Sequence, residues 1–287
     1  MPGCREQPRI SINKGRIVTP VLELKGIYKS YGAVQALLGV DLSVNRGDVV
    51  AICGDNGAGK STLIKIVSGA ETATAGEIRL NGQRVNFTSP AAALALGLAT
   101  IYQDLALASR LQVYQNVFMG AELMRSSLIP GLRILDKKAM RKATAEYLGR
   151  LKIDIQDLSA PVSSLSGGQR QAVSICRALR WNARLVIMDE PTAALGVKET
   201  GQVLDLIRQL HEQGVTILLI SHNMKDVLAV SDRIAILKNG RKVGECIARG
   251  LNAEDLATMV MTGNMGELNI AQPAITPAVG PGEAGSP

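Results

Sequence analysis

Short apolar runs punctuated by glycine set the rhythm of this chain. Residues 49–52 are wholly apolar with glycine close on either side, as in a strand buried on both faces of a parallel sheet. Residues 185–188, 216–220 and 233–237 read as later strands, and 21–24 and 39–44 as earlier ones. Asn81-Gly82, inside GEIRLNGQRV, is a type I′ hairpin signal, and Asn239-Gly240 is a second hairpin signal. Helical stretches at 60–69, 198–211 and 224–230 separate the strands. The alternation predicts an α/β fold: a mostly parallel sheet with helices on both faces and an antiparallel edge. The middle, 104–181, has helical stretches such as 137–151 and no strong strand signal. It reads as a helical subdomain inserted in the α/β core. One domain over 21–265 is expected, with a loose basic extension at 1–20 and a disordered Ala/Pro/Gly-rich tail at 266–287.

Composition narrows the class. With 287 residues and 46% hydrophobic content, the chain can bury a sizeable core. Its longest apolar run, 91–101, is interrupted by Gly97 and falls well short of the roughly 18–20 residues of a membrane span. The opening MPGCREQPRI lacks the apolar segment of a signal peptide, so a soluble cytoplasmic protein is expected. Cys4, Cys53, Cys176 and Cys246 are scattered, without metal or redox spacing. The net charge of +7 invites a nucleic-acid reading. Against it, the positive residues are spread along the chain and aromatics are only 3%, too few for a base-stacking platform. A modest positive charge also suits work beside an anionic membrane face.

The candidate chemistry begins at GDNGAGKS, residues 54–61, which has the spacing of a phosphate-binding loop between a strand and a helix. Gly54, Asp55, Asn56, Gly57, Ala58 and Gly59 would wrap phosphate oxygens with backbone N–H groups. Lys60 would add a point charge on the β- and γ-phosphates, the Ser61 hydroxyl is placed to ligate Mg²⁺, and Thr62 completes the ATP-binding set. In LVIMDEP, Asp189 and Glu190 close a buried strand, the edge where open α/β sheets bind ligands. Asp189 is a candidate metal-shell ligand, and Glu190 a candidate for orienting or deprotonating water. Gln103 ends another apolar stretch, where its amide would reach the metal or the water, or lie on the surface. His222 follows the strand at 216–220, as a γ-phosphate contact or a capping or core histidine. His211 sits on a polar helix end and is expected to be solvated. LSGGQRQAV, from Leu165, reads as a turn and then a helix, a second place where free N–H groups would face an anion.

In this order, GDNGAGKS, the Gln103 loop, LSGGQRQ, LVIMDEP and His222 resemble the ATP-binding subunits of ABC transporters over roughly residues 21–261. The resemblance implies a P-loop NTPase that binds ATP and Mg²⁺ and hydrolyses ATP, with Tyr31 in KSYG as the adenine-stacking aromatic. It implies a head-to-tail pair with a second copy of the chain. Ser166, Gly167, Gly168 and Gln169 would then contact, in trans, the nucleotide held by the partner's phosphate loop. YQDLAL, RILDKKAM, MDEPTAALGVKET and ISHNM look like the sugar-importer branch of ribose, xylose and fructose type. That branch implies docking on integral membrane permease subunits at the cytoplasmic face, with an external (periplasmic) sugar-binding protein delivering substrate. Residues 111–119 would be the permease contact surface, or else internal packing. Gly196 departs from the general ABC pattern, which has aspartate there, and puts the usual coupling contact in doubt. Alternatives are a cassette serving another solute and, further off, an ABC ATPase acting on nucleic acid or ribosomes; no nucleic-acid partner is expected.

Overall fold

The computed structural model describes residues 20–126 and 133–265. The extension expected before residue 20 and the tail expected from 266 lie outside these. The chain opens with a long hairpin, β1 (Leu22–Tyr31) and β2 (Val34–Val44), followed by β3 (Val49–Cys53) and helix α1 (Lys60–Val67). Then come β4 (Ala75–Leu80), β5 (Gln83–Val85), α2 (Pro90–Ala95) and β6 (Leu98–Ile101). The middle holds α3 (Val113–Phe118), β7 (Met124–Ser126), β8 (Arg133–Leu135), α4 (Lys137–Arg150) and α5 (Gly167–Arg180). The last part runs β9 (Leu185–Asp189), α6 (Val197–Glu212), β10 (Thr216–Ile220), α7 (Met224–Val230), β11 (Arg233–Lys238), β12 (Arg241–Ile247) and α8 (Ala253–Thr262).

The main sheet has six strands in the order β12-β11-β3-β10-β9-β6. All its pairings are parallel except β11–β12, which makes the expected antiparallel edge. Its central strands are apolar at every position because each face has its own core. Val49, Ala51 and Cys53 of β3 face α5 and α6, while Val50 and Ile52 face α1. β9 and β10 alternate the same way: Met188 and Leu219 go to one core, Ile187 and Leu218 to the other. Fully burying such a side chain stabilises by about 1.5–3 kcal/mol.

The antiparallel part is larger than the edge expected. β2-β1-β4-β5 form a separate four-stranded sheet, and α1 is packed between the two sheets through Leu63, Ile64, Ile66 and Val67. The sequence reading stops β1 at residue 24 and starts β2 at 39. The structure carries both strands to the hairpin at Tyr31 and Val34, through residues such as Lys29 and Gln35 that are polar because this end is exposed. Both Asn-Gly hairpins are present, with positive φ at Asn81, Gly82, Asn239 and Gly240, as type I′ turns require.

In the middle region α3, α4 and α5 pack together, in keeping with a helical insert. It also contains the β7–β8 ribbon. Three residues per strand are too few for a period-two pattern to register, and β8 is exposed throughout. Residues 111–119 pack mostly inward: Val113, Tyr114, Val117 and Phe118 are all buried, which leaves Leu111 and Met119 at its margins. The buried Asn116 amide accepts from Ala108 N (2.8 Å) and donates to the Ala108, Leu111 and Gln112 carbonyls. It thereby shapes the loop that leads out of β6.

Candidate functional site

The parallel register brings four strand ends to one edge. Ile220 of β10 pairs with Ile52 and with Asp189, and Ile101 of β6 pairs with Met188. The residues just beyond these ends therefore converge. Asn56 through Thr62, Gln103, Asp189, Glu190 and His222 line a single cleft of about 480 Å³, with Val34, Gln35 and Ala36 on its outer wall.

The loop into α1 depends on its glycines. Gly57 and Gly59 have φ of 81° and 102°, where a side chain is strained. A Cβ on Gly54 would stand 2.3 Å from the Leu237 carbonyl oxygen. Gly59 caps α1 with no side-chain hydrogen bond, so no side chain competes for the helix start. Lys60 folds back across the loop and donates from Nζ to Gly54 O (2.6 Å) and Asp55 O (2.9 Å).

Across the cleft, Glu190 is held in the left-handed region at φ 49°, an unusual place for a glutamate. Its N–H donates to Ile220 O at 2.8 Å, which pins it to the neighbouring strand. Its Oε2 lies 2.8 Å from His222 Nδ1. The Glu190 side chain is 15% exposed and that of His222 70%: the carboxylate is set back in the wall and the ring stands forward. The Asp189 carboxyl is raised above the ordinary aspartate range by burial and by Glu190 next to it, and Lys60 offsets this in part. Cys53, directly under the loop, is buried and its thiol is pushed up to about 12 by burial, as expected of an inert core cysteine.

Tyr31 does not line the cleft. It stands half exposed at the tip of β1, with its hydroxyl donating to Glu71 and interacting with Thr62. The Lys29 ammonium lies 4.9 Å from the ring centroid, so that face of the ring is covered. His211 is not simply solvated: its Nε2 is 3.2 Å from Asp232 Oδ2.

The LSGGQ segment faces elsewhere. Ser166, Gly168 and Gln169 line a different hollow of about 400 Å³, beside Gln202 and Asp205. Ser166 caps α5, its Oγ accepting from Gln169 N at 3.3 Å, and Gln169 Oε1 accepts from Ser166 N at 3.1 Å. This is a reciprocal capping box. Gly167 lies apart from its neighbours, on a hollow shared with Gln103 and Glu190. Two contacts of the LSGGQ helix escaped the sequence reading. Arg177 of α5 donates to Leu105 O (2.8 Å) and Ala106 O (3.0 Å), tying the loop after Gln103 to the LSGGQ helix. Glu199 of α6 accepts from Gly167 N at 2.8 Å. Glu199 carries a local signal, an acidic residue at the third position of a helix, but its partner 32 residues away leaves no periodic trace.

A profile of the family described as ABC transporter matches residues 37–193. The xylose/arabinose import ATP-binding protein XylG of Sulfolobus acidocaldarius is 41% identical over 255 residues, 89% of this chain and 99% of that protein. The fructose import ATP-binding protein FrcA of Rhizobium meliloti is 46% identical over 226 residues, 78% of this chain and 87% of that one. The ribose import ATP-binding protein RbsA of Yersinia pestis is 42% identical over 84% of this chain, which spans only 46% of RbsA. Among solved structures, the ADP form of MJ1267, an ATP-binding cassette of an ABC transporter, superposes with a TM-score of 0.71 at 28% identity. It covers 85% of this chain and 95% of that one. A dimeric post-hydrolysis state of the cassette MJ0796, bound to ADP and Pi, gives 0.66 at 27% identity, covering 80% of this chain and all of that one (100%). The chain belongs to the ABC transporter family. Its α/β fold is that of the family's ATP-binding cassettes, and its place in the family is beside the sugar-import ATP-binding proteins.

Proposed function

We propose that this chain is the ATP-hydrolysing subunit of an ABC sugar importer and works as a head-to-tail pair of copies. One observation carries the reading. Phosphate loop, Gln103, Asp189, Glu190 and His222 meet in one cleft, while Ser166, Gly168 and Gln169 open onto another surface. A nucleotide in the cleft is thus out of reach of its own chain's Ser166, Gly168 and Gln169 and open to a second chain's. The MJ0796 dimer, whose ligands are ADP and Pi, supports pairing in this fold.

The donors fit Mg²⁺. Ser61, Asp189 and Gln103 offer hard oxygen ligands, and two adjacent acidic groups, of which Asp189 is held above its usual range, would be relieved by a cation. Among the described residues no group of three His, Cys, Asp or Glu side chains is placed to hold a metal ion by itself, so phosphate oxygens and water would complete the shell. The metal, when bound, supplies neutralisation of charge on the phosphate oxygens. Lys60 adds positive charge to the transferring phosphoryl group, and Glu190 orients the water for in-line attack. His222, its Nδ1 2.8 Å from Glu190 Oε2, holds that carboxylate in place and would turn the far side of its ring toward a phosphate oxygen. Tyr31 has one ring face for adenine, the other being covered by Lys29.

Among the described residues no helix is long and apolar enough to cross a membrane, so translocation needs a partner that does. A cavity of about 370 Å³ between α2, β6 and α5 fits a permease contact. It is lined by Leu94, Tyr102, Met119 and Trp181, and it includes Arg177, which holds the loop after Gln103. Docking on the cytoplasmic face of the plasma membrane, with a periplasmic sugar-binding protein upstream, completes the reading. The test is to isolate Glu190→Gln protein from native membranes in mild detergent with ATP and Mg²⁺ and weigh the complex. Two copies with a polytopic permease are expected. A protein recovered alone, or with RNA or ribosomes, overturns the importer assignment.

A further inference from the structure

Within the paired-chain reading, on which this inference rests, we propose that Glu199 is a positioning residue that couples the two nucleotide sites of the pair. α6 begins directly after the loop that carries Asp189 and Glu190, and Glu199 stands in its first turn. Its Oε1 accepts from Gly167 N at 2.8 Å, and its Oε2 lies 3.4 Å from Gly196 N in that loop. One carboxylate thus joins the hydrolytic loop to the start of α5. The contact is tight on all sides. A Cβ on Gly167 would be 2.4 Å from Leu195 Cδ2 and 3.1 Å from Glu199 Oε2, and one on Gly168 would be 2.8 Å from Gln202 Oε1. The LSGGQ glycines are therefore small so that α5 can sit on residues 195–202, and neither has a positive φ.

Two consequences follow from the hydrogen bonds. The Gly167 N–H is committed to Glu199 and is not a phosphate donor. The Ser166 Oγ accepts from Gln169 N, which leaves its own O–H to donate outward to a partner's γ-phosphate. Gly196 has no side chain to make the link, and a Cβ there would meet nothing within 4 Å, so Glu199 is the group that bridges this gap. A shift of the Glu190 loop at one nucleotide is carried through Glu199 to the α5 start, which faces the other nucleotide.

The test uses the full chain in a Glu190→Gln background, where ATP holds the pair together, with the dimer measured by sedimentation. Adding Glu199→Ala is expected to weaken the ATP-driven dimer about tenfold, the effect of losing one charged hydrogen bond. ATP affinity of the single chain, read at dilution, should change by less than about twofold. Glu199→Gln keeps an oxygen acceptor for Gly167 N–H and should dimerise within about threefold of the parent. With Glu190 intact, Glu199→Ala should lower the Hill coefficient for ATP toward unity. A Glu199→Ala dimer as tight as the parent's overturns the inference, and so does a Gln variant as damaged as the Ala variant. Loss of single-chain ATP affinity in both would mean a general folding role and also overturn it. If Glu190→Gln itself forms no dimer with ATP, the paired-chain reading fails and takes this inference with it, an outcome distinct from the other three.

Discussion

The starts of α1 and α5 both carry glycines and could each face an anion, yet they are built in opposite ways. At α1 the glycines are required by the backbone: Gly57 and Gly59 sit at positive φ, and no side chain caps the helix. The result is an open cradle whose nearest charge is Lys60. At α5 the glycines are required by packing. Ser166 and Gln169 cap the start, Glu199 takes the Gly167 N–H, and Leu195 and Gln202 fill the space a side chain would need. The first arrangement leaves donors for a ligand held by its own chain. The second occupies the Ser166, Gly167 and Gln169 N–H groups internally and leaves the Gly168 N–H and the Ser166 hydroxyl proton for something arriving from outside. The same local motif, glycine at a helix start, therefore does not define a phosphate site until the competing intramolecular acceptors are counted.

The sharpest way to break this contrast is to remove the chemistry from the α1 cleft alone. Glu190→Gln should lower ATP turnover by about 10²–10⁴-fold, the usual worth of a positioned base, and leave ATP binding intact. Phosphate release and equilibrium binding on the same preparation check this. Turnover near wild type would show that Glu190, despite its bond to His222, does not address the water. Lys60→Ala should weaken nucleotide binding by about 10–100-fold, as expected for a charge-assisted contact. Titration of a fluorescent ATP analogue reads the loss, and unchanged affinity would mean that the lysine stays folded onto Gly54 and Asp55 when nucleotide is bound.

Next in size is a pair of alanine substitutions, one at each helix start. Gly57→Ala meets no neighbour but strains the backbone at φ 81°, at a cost of about 1–2 kcal/mol, and should weaken ATP binding by distorting the cradle. Gly167→Ala meets Leu195 and Glu199, and overpacking of this kind costs about 1–3 kcal/mol. It should spare single-chain ATP affinity and impair only the ATP-driven dimer. Thermal melts and binding at dilution on both variants decide the matter; equal loss of ATP affinity would erase the distinction between the two starts.

How much of this was legible in advance follows from the physics of each feature. The main sheet reads clearly because strands buried on both faces are apolar at every position, as in 49–52 and 216–220. The cleft residues read clearly because phosphate chemistry needs glycines, a lysine and carboxylates at fixed spacing beside a strand end. The β1–β2 hairpin tip did not, since Lys29, Ser30 and Gln35 are polar at an exposed end. Nor did the β7–β8 ribbon, at three residues a strand. The inward packing of α3 was open because an amphipathic stretch looks the same whether its apolar face meets a partner or the core. The long-range contacts of Glu199 and Arg177 were hidden for another reason: their partners are backbone N–H and C=O groups, which leave no residue type to recognise.

The smallest effect concerns Asp189, which the open cleft holds in a poor electrostatic setting until a cation arrives. Burial and Glu190 raise its carboxyl above the unfolded value of about 3.9. A raised carboxyl means that the folded chain binds the proton more tightly than the unfolded chain does. Its contribution is therefore a penalty, absent below the unfolded value, growing as pH rises through the folded one, and constant above it. Asp189→Asn removes that penalty, and without nucleotide or metal it should raise the melting temperature at pH 7.5 by about 1–2 °C. The gain should shrink as the pH is lowered toward 4. With ATP and Mg²⁺ the order should reverse, because wild type gains a ligand contact that the asparagine makes less well. A gain that persists unchanged at low pH would mean that packing, not charge, governs this position. A variant stabilised by ATP and Mg²⁺ as strongly as wild type would remove Asp189 from the metal shell.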